Sequence, residues 1–382
     1  MTTLRRMLAV WLLAGVTLVP AVASAQPEDP NIPGCVVRPD KLPSGGYALI
    51  CVPPVGWNGE LVVFAHGYVP VTEKKPVFAN LRLPDGTPLP HIVMGFGYAF
   101  ATTTYRQNGL AILEGVDDIR ELVAAFPSQA THIAGVSEGG LVATLLAERS
   151  PDLFRSAVAA CAPIGSFRAQ IDSVGDFRVL FDYLFPGIIT GPPVSIPGTP
   201  IVIPQGVIDH WQDVYVPRVL WALATYPGRA AELIRVSRAA VDPADPTTVA
   251  RTVISMLTYN VLGANDAAAK LGGNPFGNRF RLYFGSSNDF RLNLQVRRFT
   301  ASPVARAALD GYETNGNLRI PLVTLHTTAD EVIPFWHELL YLPKVDLSDR
   351  GRFFPIPAVR YGHCNFTPTE VATAFGLAVQ QP

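Results

Sequence analysis

The sequence predicts an α/β protein with a mostly parallel sheet flanked by helices. Short runs rich in β-branched and apolar residues recur along the chain, and segments with helical periodicity separate them. This alternation is typical of βαβ units. The 382 residues are 48% hydrophobic and 16% charged, so the chain is long enough to bury a substantial core. At about 150 residues per domain, we expect two units or one large domain with an insertion.

The first 25 residues predict an export signal. Arg5 and Arg6 precede an apolar run over residues 7–19, and the small residues Ala23, Ser24 and Ala25 follow it. This order matches the charged, apolar and cleavage-site regions of a signal peptide. The apolar run is too short for a comfortable membrane span, although a retained anchor is the alternative. We therefore predict cleavage after Ala25 and a secreted or periplasmic protein.

The charge balance argues against a nucleic-acid binder. The 30 Lys+Arg and 31 Asp+Glu residues give a net charge of −1, and loss of Arg5 and Arg6 would give −1 − 2 = −3. A protein with a net charge this close to zero would need a segment enriched in Lys and Arg to bind nucleic acid, and no such segment is visible in the sequence. No second apolar run of membrane length follows residue 25, so no stable membrane span is expected after cleavage.

Seven strands form the predicted sheet, over residues 46–52, 60–65, 98–105, 132–136, 156–160, 322–326 and 353–360. Apolar residues at spacings of three and four predict a helix over residues 113–126. Further helices are expected over residues 141–149, before Pro151, and over residues 369–379, after Pro368.

The alternation of strands and helices stops between residues 164 and 319, a stretch of 319 − 164 + 1 = 156 residues. Helices are predicted within it over residues 167–185, 214–226, 229–241 and 247–262. Six prolines in residues 186–206 exclude a helix interior or a central strand there. We expect an apolar loop or flap at this place, with a packed surface linker as the alternative.

Ser137 is the candidate nucleophile, in the segment Gly135-Val136-Ser137-Glu138-Gly139. The segment follows a predicted strand and opens a predicted helix. A sharp strand-to-helix turn exposes the serine Oγ, and the small residues Gly135 and Gly139 relieve the crowding that such a turn creates. The motif alone is weak, but this context strengthens it.

An acid and a base follow downstream at the ends of successive strands. Asp330 comes just after the strand at residues 322–326, and His363 follows the last strand. The order Ser137, Asp330, His363 predicts a catalytic triad, in which His363 takes the serine proton and Asp330 orients the imidazole. Other candidates for the acid are Glu331, Asp346 and Asp349. His326 and His337 flank Asp330 without other potential metal ligands beside them, so no metal site is predicted there.

The segment His66-Gly67-Tyr68 follows the strand at residues 60–65. A loop at this place can offer a backbone N–H to the developing oxyanion. We expect the N–H groups of Tyr68 and Glu138 to be the two donors. For His66 we favour a structural role over a catalytic one.

Four cysteines in an exported chain predict two disulfides, with three possible pairings. We favour Cys35–Cys51, which flank a short turn-rich stretch, and by elimination Cys161–Cys364. The second bond would tie the loop of His363 to the end of a core strand. The cysteine spacing shows no zinc pattern, and neither a metal nor a cofactor is predicted.

Together these segments resemble the α/β-hydrolase superfamily of serine hydrolases, in particular secreted esterases or lipases with a helical cap. The matching segments are residues 64–68, 135–140, 330–334 and 362–364. The resemblance implies a core of residues 26–163 and 320–382, with a cap of residues 164–319 inserted between core strands 6 and 7. Glu138 departs from the family, where an uncharged or histidine side chain is commoner. Three roles are open for the Glu138 side chain: it favours a cationic or polar substrate group, it faces solvent, or it pairs with an arginine.

The leading functional prediction is hydrolysis of moderately hydrophobic carboxylic esters, small or polymeric, through an acyl-enzyme. A serine peptidase on the same triad is the alternative, and a binding protein without turnover is the third. Oligomeric state is not predicted. Aromatic residues of the cap either line a substrate pocket or pack its core: Phe167, Phe177, Phe181, Tyr183, Phe185, Trp211, Tyr215 and Trp221. An aminopeptidase would hold its substrate's ammonium group with cap carboxylates: Asp172, Asp176, Asp182, Asp209 or Asp213.

Overall fold

The structure is a computed structural model that describes residues 28–189 and 202–381. The predicted export signal and most of the proline-rich stretch lie outside these residues. Within the described part of the chain, no helix combines the length and the apolar character that crossing a membrane requires.

The described residues form one eight-stranded sheet in the order β1-β2-β4-β3-β5-β6-β7-β8. β1 pairs antiparallel with β2, and β2 pairs antiparallel with β4, whereas all pairs from β4 to β8 are parallel. The strands are β1 Cys35–Val37, β2 Ala48–Cys51, β3 Glu60–Ala65, β4 Ala99–Thr103, β5 Ala130–Val136, β6 Ala157–Ala160, β7 Leu322–Ala329 and β8 Phe353–Tyr361.

Helices cover both faces of the sheet and fill the interval between β6 and β7. The helices are α1 Leu89–Gly95, α2 Ile112–Ala125, α3 Glu138–Arg149, α4 Phe167–Leu184, α5 Gln205–Asp209, α6 Val216–Thr225, α7 Pro227–Ser237, α8 Thr247–Lys270, α9 Asp289–Gln295, α10 Pro303–Ala308, α11 Trp336–Tyr341 and α12 Pro368–Gln380.

Alternation along β3 shows how the sheet separates two layers of core. Leu61 and Val63 pack with α2 and α3 on one face, whereas Val62 and Phe64 pack with α1 and α12 on the other. Such two-sided burial is expected for parallel strands. The carboxyl ends of β3, β5, β7 and β8 therefore meet at one edge, where the candidate site residues follow them.

The chain between β6 and β7 builds a hydrophobic cluster of its own from α4 to α9. Phe177, Phe181 and Trp211 lie at its centre, and Trp211 Nε1 donates a hydrogen bond of 2.7 Å to Thr258 Oγ1. We call residues 164–319 the insertion.

The predicted fold class is confirmed, and each of the seven predicted strands is present. The prediction missed β1, which has only three residues, and the five short helices α1, α5, α9, α10 and α11, which have five to seven residues each. It placed the end of α7 at residue 241, whereas α7 ends at Ser237 because Arg238 adopts a left-handed conformation with φ 56°. It also ended α8 at residue 262, but the helix continues through Gly263 to Lys270.

Candidate active site

Ser137 stands at a sharp turn between β5 and α3. Its backbone has φ 56° and ψ −122°, a conformation that side-chain-bearing residues rarely adopt. The turn is crowded: a Cβ on Gly135 would lie 2.0 Å from the Gly139 carbonyl oxygen, and a Cβ on Gly139 would lie 2.0 Å from that of Ala65. Only glycine fits at either position. This strained strand-to-helix turn has the geometry of a nucleophile elbow.

The structure brings Ser137, His363 and Asp330 into one hydrogen-bonded chain. Ser137 Oγ lies 2.9 Å from His363 Nε2. His363 Nδ1 lies 2.8 Å from Asp330 Oδ2 and 3.0 Å from Asp330 Oδ1. With the proton on Nδ1, the imidazole presents Nε2 as the acceptor for the serine proton.

The Asp330 carboxylate is fully buried and well supplied with hydrogen-bond donors. Its Oδ1 accepts from the backbone N–H groups of Val332, at 2.9 Å, and Ile333, at 2.8 Å. Burial alone would raise the pKa of Asp330, but the neighbouring His363 and His326 lower it below its usual value. Asp330 is therefore held ionised beside the imidazole that it orients.

His326 forms a second layer behind the triad that the sequence reasoning did not identify. Its Nε2 lies 2.8 Å from the Ile333 carbonyl oxygen and 3.6 Å from Asp330 Oδ2, and its Nδ1 lies 3.1 Å from Glu338 Oε1. Burial opposes charge on this ring, but the neighbouring carboxylates of Asp330 and Glu338 raise its pKa to about 10. The raised pKa favours the charged form of this ring between the two carboxylates, and no sequence pattern predicted this arrangement.

Glu331, an alternative candidate for the acid, has a different position. Its Oε2 accepts the backbone N–H of His363 at 2.8 Å, and its Oε1 lies 3.4 Å from Ser255 Oγ. Burial, followed by the nearby charge of Asp330, raises the pKa of Glu331. Glu331 therefore holds the backbone of the histidine loop, whereas Asp330 holds the ring.

The loop after β3 lies against the elbow. A Cβ on Gly67 would be 3.2 Å from Ser137 Cβ, and the Gly67 N–H donates to Asn80 Oδ1 at 2.8 Å. The backbone N–H groups of Tyr68 and Glu138 donate to no other described residue. Asn80, which the sequence reasoning missed, thus fixes the loop that carries Tyr68 and leaves the next N–H along the chain available.

His66 has structural contacts only. It is buried, its ring stacks on Tyr105 with centroids 4.0 Å apart, and its Nδ1 lies 2.7 Å from the Gly67 carbonyl oxygen. Burial lowers its pKa to about 4, so the ring is neutral at physiological pH. This arrangement supports the structural interpretation of His66.

Glu138 neither faces solvent nor pairs with an arginine. Its side chain is buried, and Oε1 accepts the backbone N–H of Ala111 at 2.6 Å, immediately before α2 begins. Burial raises the pKa of this carboxyl to about 8. Two of the three expectations for Glu138 are therefore wrong, and its hydrogen bond to Ala111 gives it a structural role.

Both favoured disulfides are present. Cys35 and Cys51 are register partners on β1 and β2, and Cys161–Cys364 joins the end of β6 to the residue after His363. Cys364 Sγ lies 3.4 Å from His363 Nε2. Cys161, His363 and Cys364 are the one cluster of potential metal ligands among the described residues, but both sulfurs are already bonded to each other.

Two cavities meet at Ser137, and Tyr68 and Tyr259 also line both. The first, which we call the sheet cavity, has a volume of about 440 Å³ and lies between the sheet and helices α1 and α12. The second, the insertion cavity, has a volume of about 150 Å³ and lies beneath α4 and α8. The site therefore offers two largely apolar compartments on either side of the serine hydroxyl.

Most of the aromatic residues expected to line a pocket pack the core of the insertion instead. Only Phe167 among them lines a cavity at Ser137, while Trp221 is 60% exposed. The other aromatic residues of the two cavities are Phe64, Tyr68, Phe100, Tyr259, Phe276, Phe366 and Phe375.

The acidic residues considered for an ammonium site have partners away from these two cavities. Asp172 and Asp176 pair with Arg281, and Asp182 pairs with Arg178. Neither cavity at Ser137 is lined by any of them. The described residues therefore offer no carboxylate of this set for a substrate's amino group.

No family model matches the sequence, and no curated protein matches it. Among solved structures, the proline iminopeptidase of Mycobacterium smegmatis is 14% identical, with 90% of this chain and 97% of that chain covered and a TM-score of 0.43. An alpha/beta hydrolase enzyme, MGS-M2, from a Medee basin deep-sea metagenome library is 10% identical, with 91% and 98% covered and a TM-score of 0.42.

The acylaminoacyl peptidase of Pyrococcus horikoshii is 13% identical, with 93% of this chain covered and a TM-score of 0.42. This chain spans only 40% of the length of that peptidase. Identities and TM-scores this low say nothing about activity. The α/β-hydrolase fold is identified from the chain's own strand order, its elbow and the order of Ser137, Asp330 and His363.

Proposed function

We propose that this protein is a serine hydrolase that cleaves moderately hydrophobic carboxylic esters through an acyl-enzyme. The observation that carries the proposal is the continuous chain from Ser137 Oγ through His363 to the buried Asp330, with distances of 2.9 and 2.8 Å. A hydroxyl at a strained elbow, an acceptor nitrogen and a buried carboxylate are the parts that acyl transfer needs.

In the proposed mechanism, Ser137 Oγ attacks the ester carbonyl carbon while His363 Nε2 takes its proton. The carbonyl oxygen becomes an oxyanion, which the backbone N–H groups of Tyr68 and Glu138 stabilise. His363 then delivers the proton to the departing alcohol, and the acyl group stays on Ser137. Water, deprotonated by His363, attacks the acyl-enzyme, and the acid leaves as the serine recovers its proton.

Ester cleavage is favoured over aminopeptidase activity by the surroundings of Ser137. The two cavities are largely apolar, and none of the five aspartates considered for an ammonium group lines either of them. Asp172, Asp176 and Asp182 pair with arginines, while Asp209 and Asp213 contact Gln205 and His210. An apolar site suits the neutral chains of an ester better than a charged amino terminus, because an unpaired buried charge is costly. We propose that the insertion acts as the cap that closes this site.

Secretion or periplasmic residence completes the proposal. Two disulfides are compatible with an oxidising compartment, and the predicted cleavage after Ala25 would release the chain there.

Purified protein would be assayed on p-nitrophenyl acyl esters and on aminoacyl p-nitroanilides, beside a Ser137→Ala control. We expect ester turnover that exceeds anilide turnover and that disappears in the variant. Preferential cleavage of anilides would establish the peptidase instead. Activity that survives in Ser137→Ala would remove the nucleophile from the proposal, and a folded protein without turnover would favour a binding role.

A further inference from the structure

The described residues cover one face of the inner strands β5 and β6 incompletely. Four residues on the α1 and α12 side of these strands are only half-buried, while their neighbours Ile133, Ala157 and Ala159 on the opposite face are fully buried. Central parallel strands normally bury both faces. The half-buried residues are Ala134 and Val136 of β5 and Val158 and Ala160 of β6.

The short helix α1 explains the gap. With seven residues it is only about 10 Å long, at 1.5 Å per residue, whereas α12 has thirteen. The two helices meet at one flank of this face, where Val93 and Phe375 belong to one hydrophobic cluster, and α12 also packs against β7 in a second cluster. Alanines at positions 134, 160 and 374 leave the space between them unfilled, and the result is the sheet cavity of about 440 Å³.

The sheet cavity is continuous with the catalytic centre. Ser137 and His363 line it, and so does Cys364. Apart from His363, its charged lining residues in the described chain are Glu28 and Arg82, and most of the others are apolar. A bound group can therefore extend from the serine hydroxyl onto the bare face of the sheet without leaving an apolar environment.

The cavity extends across several strands of the sheet. Its floor crosses β4, β3, β5, β6 and β7, which is four inter-strand spacings or about 19 Å. A cavity of about 440 Å³ lies in the size range of small-molecule sites, and over this width its largely apolar walls can take an extended aliphatic group.

We propose that the sheet cavity binds an aliphatic chain attached to the scissile ester, on the face of the sheet below Ser137. This inference rests on the proposed ester hydrolysis and specifies its substrate class. The chain is carried either on the acyl group or on the alcohol, and two substrate series separate these sources.

The test uses Val158→Phe. Val158 lies two residues before Ala160 on the same face of β6, so a phenylalanine there fills the cavity without closing its opening at Ser137. Val359→Phe is the matched control, because Val359 is 86% exposed on β8. Val371→Phe, which enters the cavity from α12, provides a second filling variant if Val158→Phe does not fold. The substrates are p-nitrophenyl esters from acetate to dodecanoate and alkyl acetates from butyl to dodecyl.

For the wild type we expect kcat/KM to rise with chain length in one series, by up to about fourfold per methylene group until the cavity is full. A filling variant should keep its activity on the shortest substrate and lose at least about tenfold on the longest, while Val359→Phe matches the wild type. A rise in the acyl series places the chain on the acyl group, and a rise in the alkyl series places it on the alcohol.

Equal length dependence in the wild type and both filling variants would overturn the inference. So would a wild type that hydrolyses short and long esters equally well, since ester hydrolysis would then stand without this cavity. Failure of the proposed function looks different, because the wild type would then hydrolyse none of the esters, including the shortest.

Discussion

Glu138 makes the stability of this protein depend on pH. The carboxyl is buried beside the nucleophile, and its pKa rises from 4.5 to about 8. Its Oε1 accepts the Ala111 N–H at the start of α2. A glutamine has nearly the same shape and keeps that acceptor, but it cannot ionise. Glu138→Gln therefore removes the ionisation while it retains the hydrogen bond.

Proton linkage gives the sign of this pH dependence. Between pH 4.5 and pH 8 the unfolded chain loses the Glu138 proton, but the folded protein keeps it, so folding becomes less favourable as the pH rises. The difference between 4.5 and about 8 corresponds to about 5 kcal/mol, at about 1.4 kcal/mol per pH unit. Between pH 5 and pH 9 the wild type should lose about 4 kcal/mol through this group.

Urea unfolding of the wild type and Glu138→Gln at pH 5 and pH 9 measures this contribution. The free energies of unfolding should be similar at pH 5, and the variant should be more stable at pH 9 by several kcal/mol. Other buried acids affect both proteins equally, so the difference between the proteins isolates Glu138. Parallel pH dependence in the two proteins would refute the buried, protonated state of this carboxyl.

Three further predictions concern the elbow and the triad. Asp330→Asn should lower kcat about 10³- to 10⁴-fold in a protein that circular dichroism still shows to be folded. The amide oxygen still accepts the two backbone N–H groups, but the amide disfavours the required imidazole tautomer. A loss below tenfold would contradict this. Gly139→Ala should lower the free energy of unfolding by about 1–3 kcal/mol or more, because the new Cβ would clash with the backbone. The control is Gly228→Ala, whose new Cβ has nothing within 4 Å and whose free energy of unfolding should stay within about 1 kcal/mol of the wild type. Equal effects of the two substitutions would argue against the crowded turn at Ser137. Replacing Cys161 and Cys364 by alanine should lower esterase activity at temperatures where circular dichroism still shows a folded protein, and full activity without this bond would show that the histidine loop does not need it.

The sheet was largely predictable because its strands are continuous apolar runs. Residues 60–65 contain five apolar residues after Glu60, and the predicted bounds agree with β3. Short elements carry less pattern, so the three-residue β1 was missed even though Cys35 had been paired with Cys51. The hydrophobic pattern also did not predict the last turns of α8. There Asp266 and Lys270 bind the backbone of Leu110, and these tertiary contacts stabilise the helix beyond the apolar pattern.

The triad residues were predictable because each follows a strand whose carboxyl end lies at one edge of the sheet. The residues that support them were not predictable in this way. Asn80 reaches Gly67 across thirteen positions, and His326 contacts Glu338 across twelve. Such side-chain contacts depend on loop geometry, which local spacing does not encode. The only sequence hint for Asn80 is its residue type, since asparagine tolerates the left-handed φ of 57° found there.

The central claim is that Ser137 is an activated nucleophile, and covalent labelling tests it most directly. An organofluorophosphonate reacts with such a serine by forming an Oγ–P bond and releasing fluoride. Intact-mass and peptide analysis should find one phosphonyl group per molecule, on Ser137, with no label in Ser137→Ala and much slower labelling in His363→Ala. Labelling at another residue, or a folded wild type that resists the reagent, would contradict the account.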